Sequence, residues 1–149
     1  MVEYSEDLQR ICLPFLEERE ARVLLKSMTP LVLRAGTDLY LVGDTADCLY
    51  LLVSGRIAVR KRTGFGDRMQ VVALLDPGAP IGEDGLIDGR DRGATLTAVA
   101  ESHLLMLSRQ VFDEVVSTDS ATALKLLKWL LERVSLRLKK SSDRLAQIL

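Results

Sequence analysis

Metal-binding side chains are nearly missing from this sequence: His103 is the only histidine, and Cys12 and Cys48 are the only cysteines. A zinc site or iron–sulfur cluster of ordinary ligation needs more such ligands, so no metal centre is expected. Two widely spaced thiols without a secretory signature read as buried free cysteines in a reducing cytosol. His103 reads as a structural histidine, not a haem ligand. Charge of one sign is also missing, since 20 Lys and Arg face 21 Asp and Glu for a net charge of −1. That balance argues against direct nucleic-acid binding, which needs a basic stripe to neutralise phosphates. No apolar run reaches the roughly 18 residues of a membrane span, and Met1–Asp7 is too acidic for a signal peptide. A cytoplasmic protein without membrane contact is the expectation. Nor is there a nucleophile–base pair or a histidine placed for acid–base work, so catalysis is not expected.

What is present falls into three zones of different periodicity within 149 residues, enough for one domain with a sizeable core. Residues 1–28 carry apolar positions at helical spacing (Leu8, Ile11, Cys12, Phe15, Val23, Leu24, Met28) with Pro14 interrupting, which predicts two short helices. Residues 30–108 read as short strands. Ile57 and Val59 alternate with Arg56, Ala58 and Arg60, the mark of a half-buried strand, while Val71–Leu75 and Leu104–Leu107 are apolar runs expected in buried strands. Turn signals separate them: Gly43-Asp44, Ser54-Gly55, Gly64-Phe65-Gly66-Asp67 and Asp76-Pro77-Gly78. Many short strands at this spacing suggest a jelly roll.

Residues 109–149 predict C-terminal helices. Asp119 is a candidate N-cap, and the next 30 or so residues lack Gly and Pro, giving a helix of about 45 Å. Leu124, Leu127, Leu131, Val134, Leu138 and Leu145 repeat every 3.5 residues, with Ser141 as a polar break. This stripe predicts a seam for a homodimer, while Ala123, Leu126 and Leu130 broaden the face that covers the strands. Trp129 lies opposite the seam and is expected against the strands or the N-terminal helices. Lys139 and Lys140 read as solvated helix.

The chemistry concentrates in residues 81–98, which run Ile81-Gly82-Glu83-Asp84-Gly85-Leu86-Ile87-Asp88-Gly89-Arg90-Asp91-Arg92-Gly93-Ala94-Thr95-Leu96-Thr97-Ala98. A helical turn after glycine offers free amides to an anion, and a returning arginine can fork onto two phosphate oxygens. A glutamate beside them can accept a sugar hydroxyl, and small residues after the arginine let a ligand approach backbone amides. Alone, this stretch reads first as a turn with a surface ion pair.

Preceded by Ala35-Gly36-Thr37, Gly43-Asp44-Thr45-Ala46-Asp47-Cys48-Leu49-Tyr50, Val53-Ser54-Gly55-Arg56-Ile57-Ala58-Val59 and Leu75-Asp76-Pro77-Gly78, the segment resembles the cyclic-nucleotide-binding domain family over residues 30–140. The resemblance implies a mainly β fold, a double-stranded β-helix (jelly roll) with N-terminal helices and a long C-terminal helix. It implies that Glu83 and the Gly82 backbone hold the ribose 2′-hydroxyl. Arg92 pairs with the exocyclic phosphate oxygens, and the amides of Gly85 and of Gly93 or Ala94 complete the cradle. Arg137, on the long helix, is implied as a cap on the base. Gly93 stands where cGMP-selective members carry a hydroxyl, so the ligand leans toward cAMP over cGMP. Two departures are evident: Asp91 replaces the usual proline before the arginine, and Asp84 replaces an apolar residue after the glutamate.

The expected function is a non-catalytic regulatory module. Ligand binding would shift the hinge near Phe112–Thr118, move the long helix and signal to an unidentified effector protein. Two alternatives stand. One is the sensor part of a catabolite-activator-type transcription regulator, whose helix-turn-helix has no counterpart before Leu149. The other is a dimerisation module that has lost its nucleotide.

Overall fold

The computed structural model describes residues 2–64, 66 and 68–149. Phe65 and Asp67 of the expected 64–67 turn, and Met1 of the acidic opening stretch, lie outside the described residues. Two short helices come first, α1 (Glu6–Cys12) and α2 (Glu18–Lys26). Ser5 caps α1 by accepting a bond from the Leu8 amide, and Glu17 and Glu20 form a capping box on α2. Among the described residues ten strands follow: β1 (Thr29–Leu33), β2 (Asp38–Tyr40), β3 (Thr45–Ala46), β4 (Cys48–Ser54), β5 (Ile57–Arg62), β6 (Met69–Leu75), β7 (Pro80–Ile81), β8 (Arg90–Asp91), β9 (Thr95–Ala98) and β10 (Ser102–Ser108). Helices α3 (Arg109–Thr118) and α4 (Ser120–Ile148) end the order.

The strands form two antiparallel four-stranded sheets, β1-β10-β4-β7 and β2-β9-β5-β6, with a small β3-β8 ribbon. The β10–β4 pair shows how sequence sets the layers. Leu49, Leu51, Leu105 and Leu107 pack with α1, α2, α3 and α4, while Leu52 and Leu104 point the other way, onto Ile57, Leu96 and Ala98 of the second sheet. Both faces of this sheet are covered, so its strands read as near-continuous apolar runs. The tight β4–β5 turn depends on Gly55, with φ +95°, where a Cβ would lie 2.5 Å from the Glu101 carbonyl.

The expectation for Val71–Leu75 is corrected. This run forms β6, the edge of the second sheet, and Val71, Val72 and Leu74 are exposed. An apolar run alone does not say whether a strand has a covering layer, and here the helices all lie on the other sheet. Val23 is likewise exposed on α2, while Leu24, Leu25 and Met28 are buried. His103 is half exposed on β10, 3.7 Å from the Glu101 carboxylate, and not a core residue.

Cys12 and Cys48 are buried free thiols. Asp119 interrupts the two C-terminal helices and caps α4 through the Thr122 amide, so the expected hinge residues form α3 and the break falls just after them. Trp129 stacks on Phe15 with ring centroids 4.6 Å apart, locking α4 to the connection between α1 and α2. Below it, buried Glu20 of α2 accepts a bond of 2.8 Å from Lys125 of α4. Leu124, Leu127, Leu131, Leu138 and Leu145 are exposed, and so are Lys139 and Lys140.

Candidate functional site

Strand β7 is followed by Gly82, whose φ of +71° turns the chain into a single 3-10 turn, Glu83–Leu86. Glycine is required twice over, because a Cβ at 82 would lie 2.2 Å from Arg92 Nη1 as well as in left-handed backbone. Gly85, in the turn itself, is pressed against the Cys48 backbone, and its amide donates to the Gly82 carbonyl at 2.9 Å. The chain returns through β8 to Arg92 and then to exposed Gly93 and buried Ala94, ahead of β9.

Arg92 is the centre of the arrangement. Its side chain is only 2% exposed, and a buried cation requires close partners. Nη1 donates to the Gly82 carbonyl at 3.0 Å and to Asp84 Oδ1 at 3.2 Å; Nη2 donates to the Cys48 carbonyl at 2.7 Å. The guanidinium lies over the Tyr40 ring, 4.3 Å from its centroid. Burial pushes the Tyr40 hydroxyl up to about 12 despite the cation beside it, and burial likewise raises the Cys48 thiol, so both stay protonated at neutral pH.

A cleft of about 250 Å³ opens in front of this arginine. Its walls include Gly82, Glu83, Asp84, Gly93, Ala94 and Arg137, with Val59, Leu75 and Leu96 as an apolar side. Five of the seven residues singled out from sequence therefore share one cavity: Gly82, Glu83, Gly93, Ala94 and Arg137. Gly85 and Arg92 lie buried behind it, held by residues that line it. Arg137 of α4 reaches across and pairs with Glu83 at 2.5 Å. Sequence reasoning missed Tyr40 and Lys61, which also line the cleft. Lys61 was within reach, since it continues the Ile57, Val59 alternation along β5. No group of three or more potential metal ligands occurs among the described residues.

The sequence profile of the cyclic nucleotide-binding domain matches residues 30–119. The chain belongs to the cyclic nucleotide-binding domain family. It is 30% identical over 115 residues to a cAMP-dependent protein kinase regulatory subunit of Dictyostelium discoideum, covering 75% of this chain and 35% of that protein. It is 37% identical over 75 residues to the Cyclic AMP receptor protein of Thermus thermophilus, covering 50% of this chain and 34% of that protein. The chain thus spans about a third of the length of these curated relatives. A cyclic nucleotide-binding domain from Methylobacillus flagellatus superimposes with a TM-score of 0.85 at 28% identity, over 97% of this chain and 81% of that one. The fold is accordingly the β-roll with N-terminal helices and a long C-terminal helix that the sequence predicts. No helix among the described residues is long and apolar enough to cross a membrane.

Proposed function

We propose that this domain binds cAMP as a non-catalytic, cytoplasmic regulatory module and signals through α4. The observation that carries the reading is Arg92: a buried guanidinium fixed beside a cleft by the same turn that presents Glu83. In this reading Arg92 meets the exocyclic phosphate oxygens and Glu83 accepts the ribose 2′-hydroxyl, with the exposed Gly93 and the Ala94 amide completing the cradle. The Gly85 amide joins them only if its bond to Gly82 opens. Lys61 adds a cation at the mouth, and Val59, Leu75 and Leu96 offer the purine an apolar wall. Gly93 gives guanine no hydroxyl partner, which favours adenine. The names of the kinase-subunit and receptor relatives support the same ligand.

Calorimetric titration with cAMP and cGMP tests the reading, with Arg92→Ala as control. Truncating one partner of a buried charge pair costs about 2–5 kcal/mol, so the control should lose most of its affinity. A ligand-free melt of the same variant separates lost binding from lost folding. Absence of cAMP binding by the wild type would refute the assignment. The exposed leucine stripe on α4 favours a second element of the reading, a homodimer joined through Leu124, Leu127, Leu131, Val134, Leu138 and Leu145. Light scattering of the wild type and Leu131→Glu tests it: a dimer turned monomer supports the seam, and a monomeric wild type removes it.

A further inference from the structure

A phosphate site at Arg92 meets an obstacle, because the guanidinium already holds an anion. Its partners are two backbone carbonyls, the Cys48 sulfur, the neutral Tyr40 and Tyr50 rings and the Asp84 carboxylate, which is the one charged group paired with it among the described residues. The carbonyls belong to Gly82 and to Cys48 of β4, and neither yields without backbone movement. Asp84 differs: its side chain is 41% exposed and lines the cleft. A ligand entering from solvent meets this carboxylate before it reaches the arginine.

We propose that Asp84 is an internal competitor for the cyclic phosphate, and that the residue at this position sets the affinity of the site. The proposal rests on the nucleotide-binding reading above and deepens it. While the cleft is empty, Asp84 neutralises a cation that would otherwise stand unpaired in a buried position. When a cyclic phosphate arrives, one anion must replace the other on Nη1. Two negative groups cannot share that corner without repulsion. Binding becomes an exchange of ion pairs and not the formation of a new one, so the domain responds only to higher nucleotide concentrations than its arginine alone would permit.

The test compares wild type and Asp84→Asn by calorimetric titration with cAMP at low and at physiological salt. Asparagine keeps the size and removes the charge. The variant should bind about tenfold tighter, equivalent to about 1.4 kcal/mol. Its affinity should also fall more steeply with salt, because a screened ion pair is now formed and not traded. Altered packing alone would leave the salt dependence unchanged. A silent wild type with a binding variant would refute cAMP binding by the wild type, as stated above, and support the competing role of Asp84 alone. Equal or weaker binding by the variant, with the wild type still binding, would overturn the competitor role and leave the nucleotide reading standing. No binding by either protein would overturn both. Asp84→Ser, with a ligand-free melt of each protein, covers the case in which the first variant fails to fold.

Discussion

Alanine at Gly85 and alanine at Gly93 should have opposite effects, although both glycines belong to the same 81–98 segment. A Cβ on Gly85 would lie 2.0 Å from the Cys48 carbonyl oxygen and 2.7 Å from the Cys48 nitrogen and carbonyl carbon. Gly85 does not occupy left-handed backbone, so the cost is contact and not conformation. Cys48 has little room to retreat, because it pairs with Ser108 in the sheet and its carbonyl accepts the Arg92 bond. Overpacking costs about 1–3 kcal/mol, and disturbing a charged hydrogen bond costs about 1.5–3 kcal/mol more. A loss of about 3 kcal/mol corresponds to a Tm lowered by about 6–12 °C at this chain length. At Gly93 an added Cβ meets nothing within 4 Å, and φ is not left-handed. There alanine should leave Tm unchanged or raise it slightly, through a gain of about 0.4–1 kcal/mol from a stiffer unfolded chain. Ligand-free thermal melts of the two variants decide the matter. A Gly85→Ala protein melting within about 2 °C of wild type would refute the close packing of the turn on β4.

Trp129→Ala removes the stack on Phe15 and should cost about 3–5 kcal/mol in a denaturant titration, with early loosening of α1 and α2. Lys125, and after it the Glu17 amide, hold the Glu20 carboxyl below the usual carboxylate range against the opposing effect of burial. Its contribution to stability is therefore full above the unfolded value of about 4.3 and is lost as pH falls through the lower folded value. Glu20→Gln should flatten that acid limb in melts taken as a function of pH. Arg137→Ala should raise cAMP affinity up to about fivefold if the pair with Glu83 competes with the ribose, an exposed pair contributing about 0.2–1 kcal/mol. A fall in affinity would instead mark Arg137 as the cap on the base, and calorimetry reads the sign.

The layers were legible where both faces of a strand are covered. Leu104–Leu107 announced itself as a buried run, and the helix break was visible in Asp119. Val71–Leu75 misled because the same kind of run serves an edge strand whose outer face has no covering helix. In the site, Glu83 and Arg92 could be read because their chemistry is local to one loop. Their present partners could not. Arg92 is held by Cys48, 44 residues away in sequence, and Glu83 by Arg137, 54 residues away. Those pairings exist only once the roll and α4 are assembled. Sequence showed Asp84 as a departure from the family's apolar residue, and only the fold shows which cation it occupies.

The position of Arg137 also limits how α4 can carry a signal. Thr122, Ala123, Leu126, Trp129 and Leu130 bury the first half of the helix, whereas every residue beyond Val134 is exposed. Among the described residues, the Glu83–Arg137 bond is the one salt bridge between that distal half and the roll. On the proposed reading, a ribose hydroxyl and Arg137 draw on the same carboxylate, so nucleotide binding loosens a tether on a segment that packing does not hold. A single exposed pair of about 1 kcal/mol limits this coupling to about fivefold. A larger response requires a second energy term in the distal helix, and the exposed leucine stripe is the place to find it. If the seam closes only when the helix is free of Glu83, dimer formation adds its own free energy to the switch. By linkage the coupling is reciprocal, so raising the protein concentration should then tighten nucleotide binding.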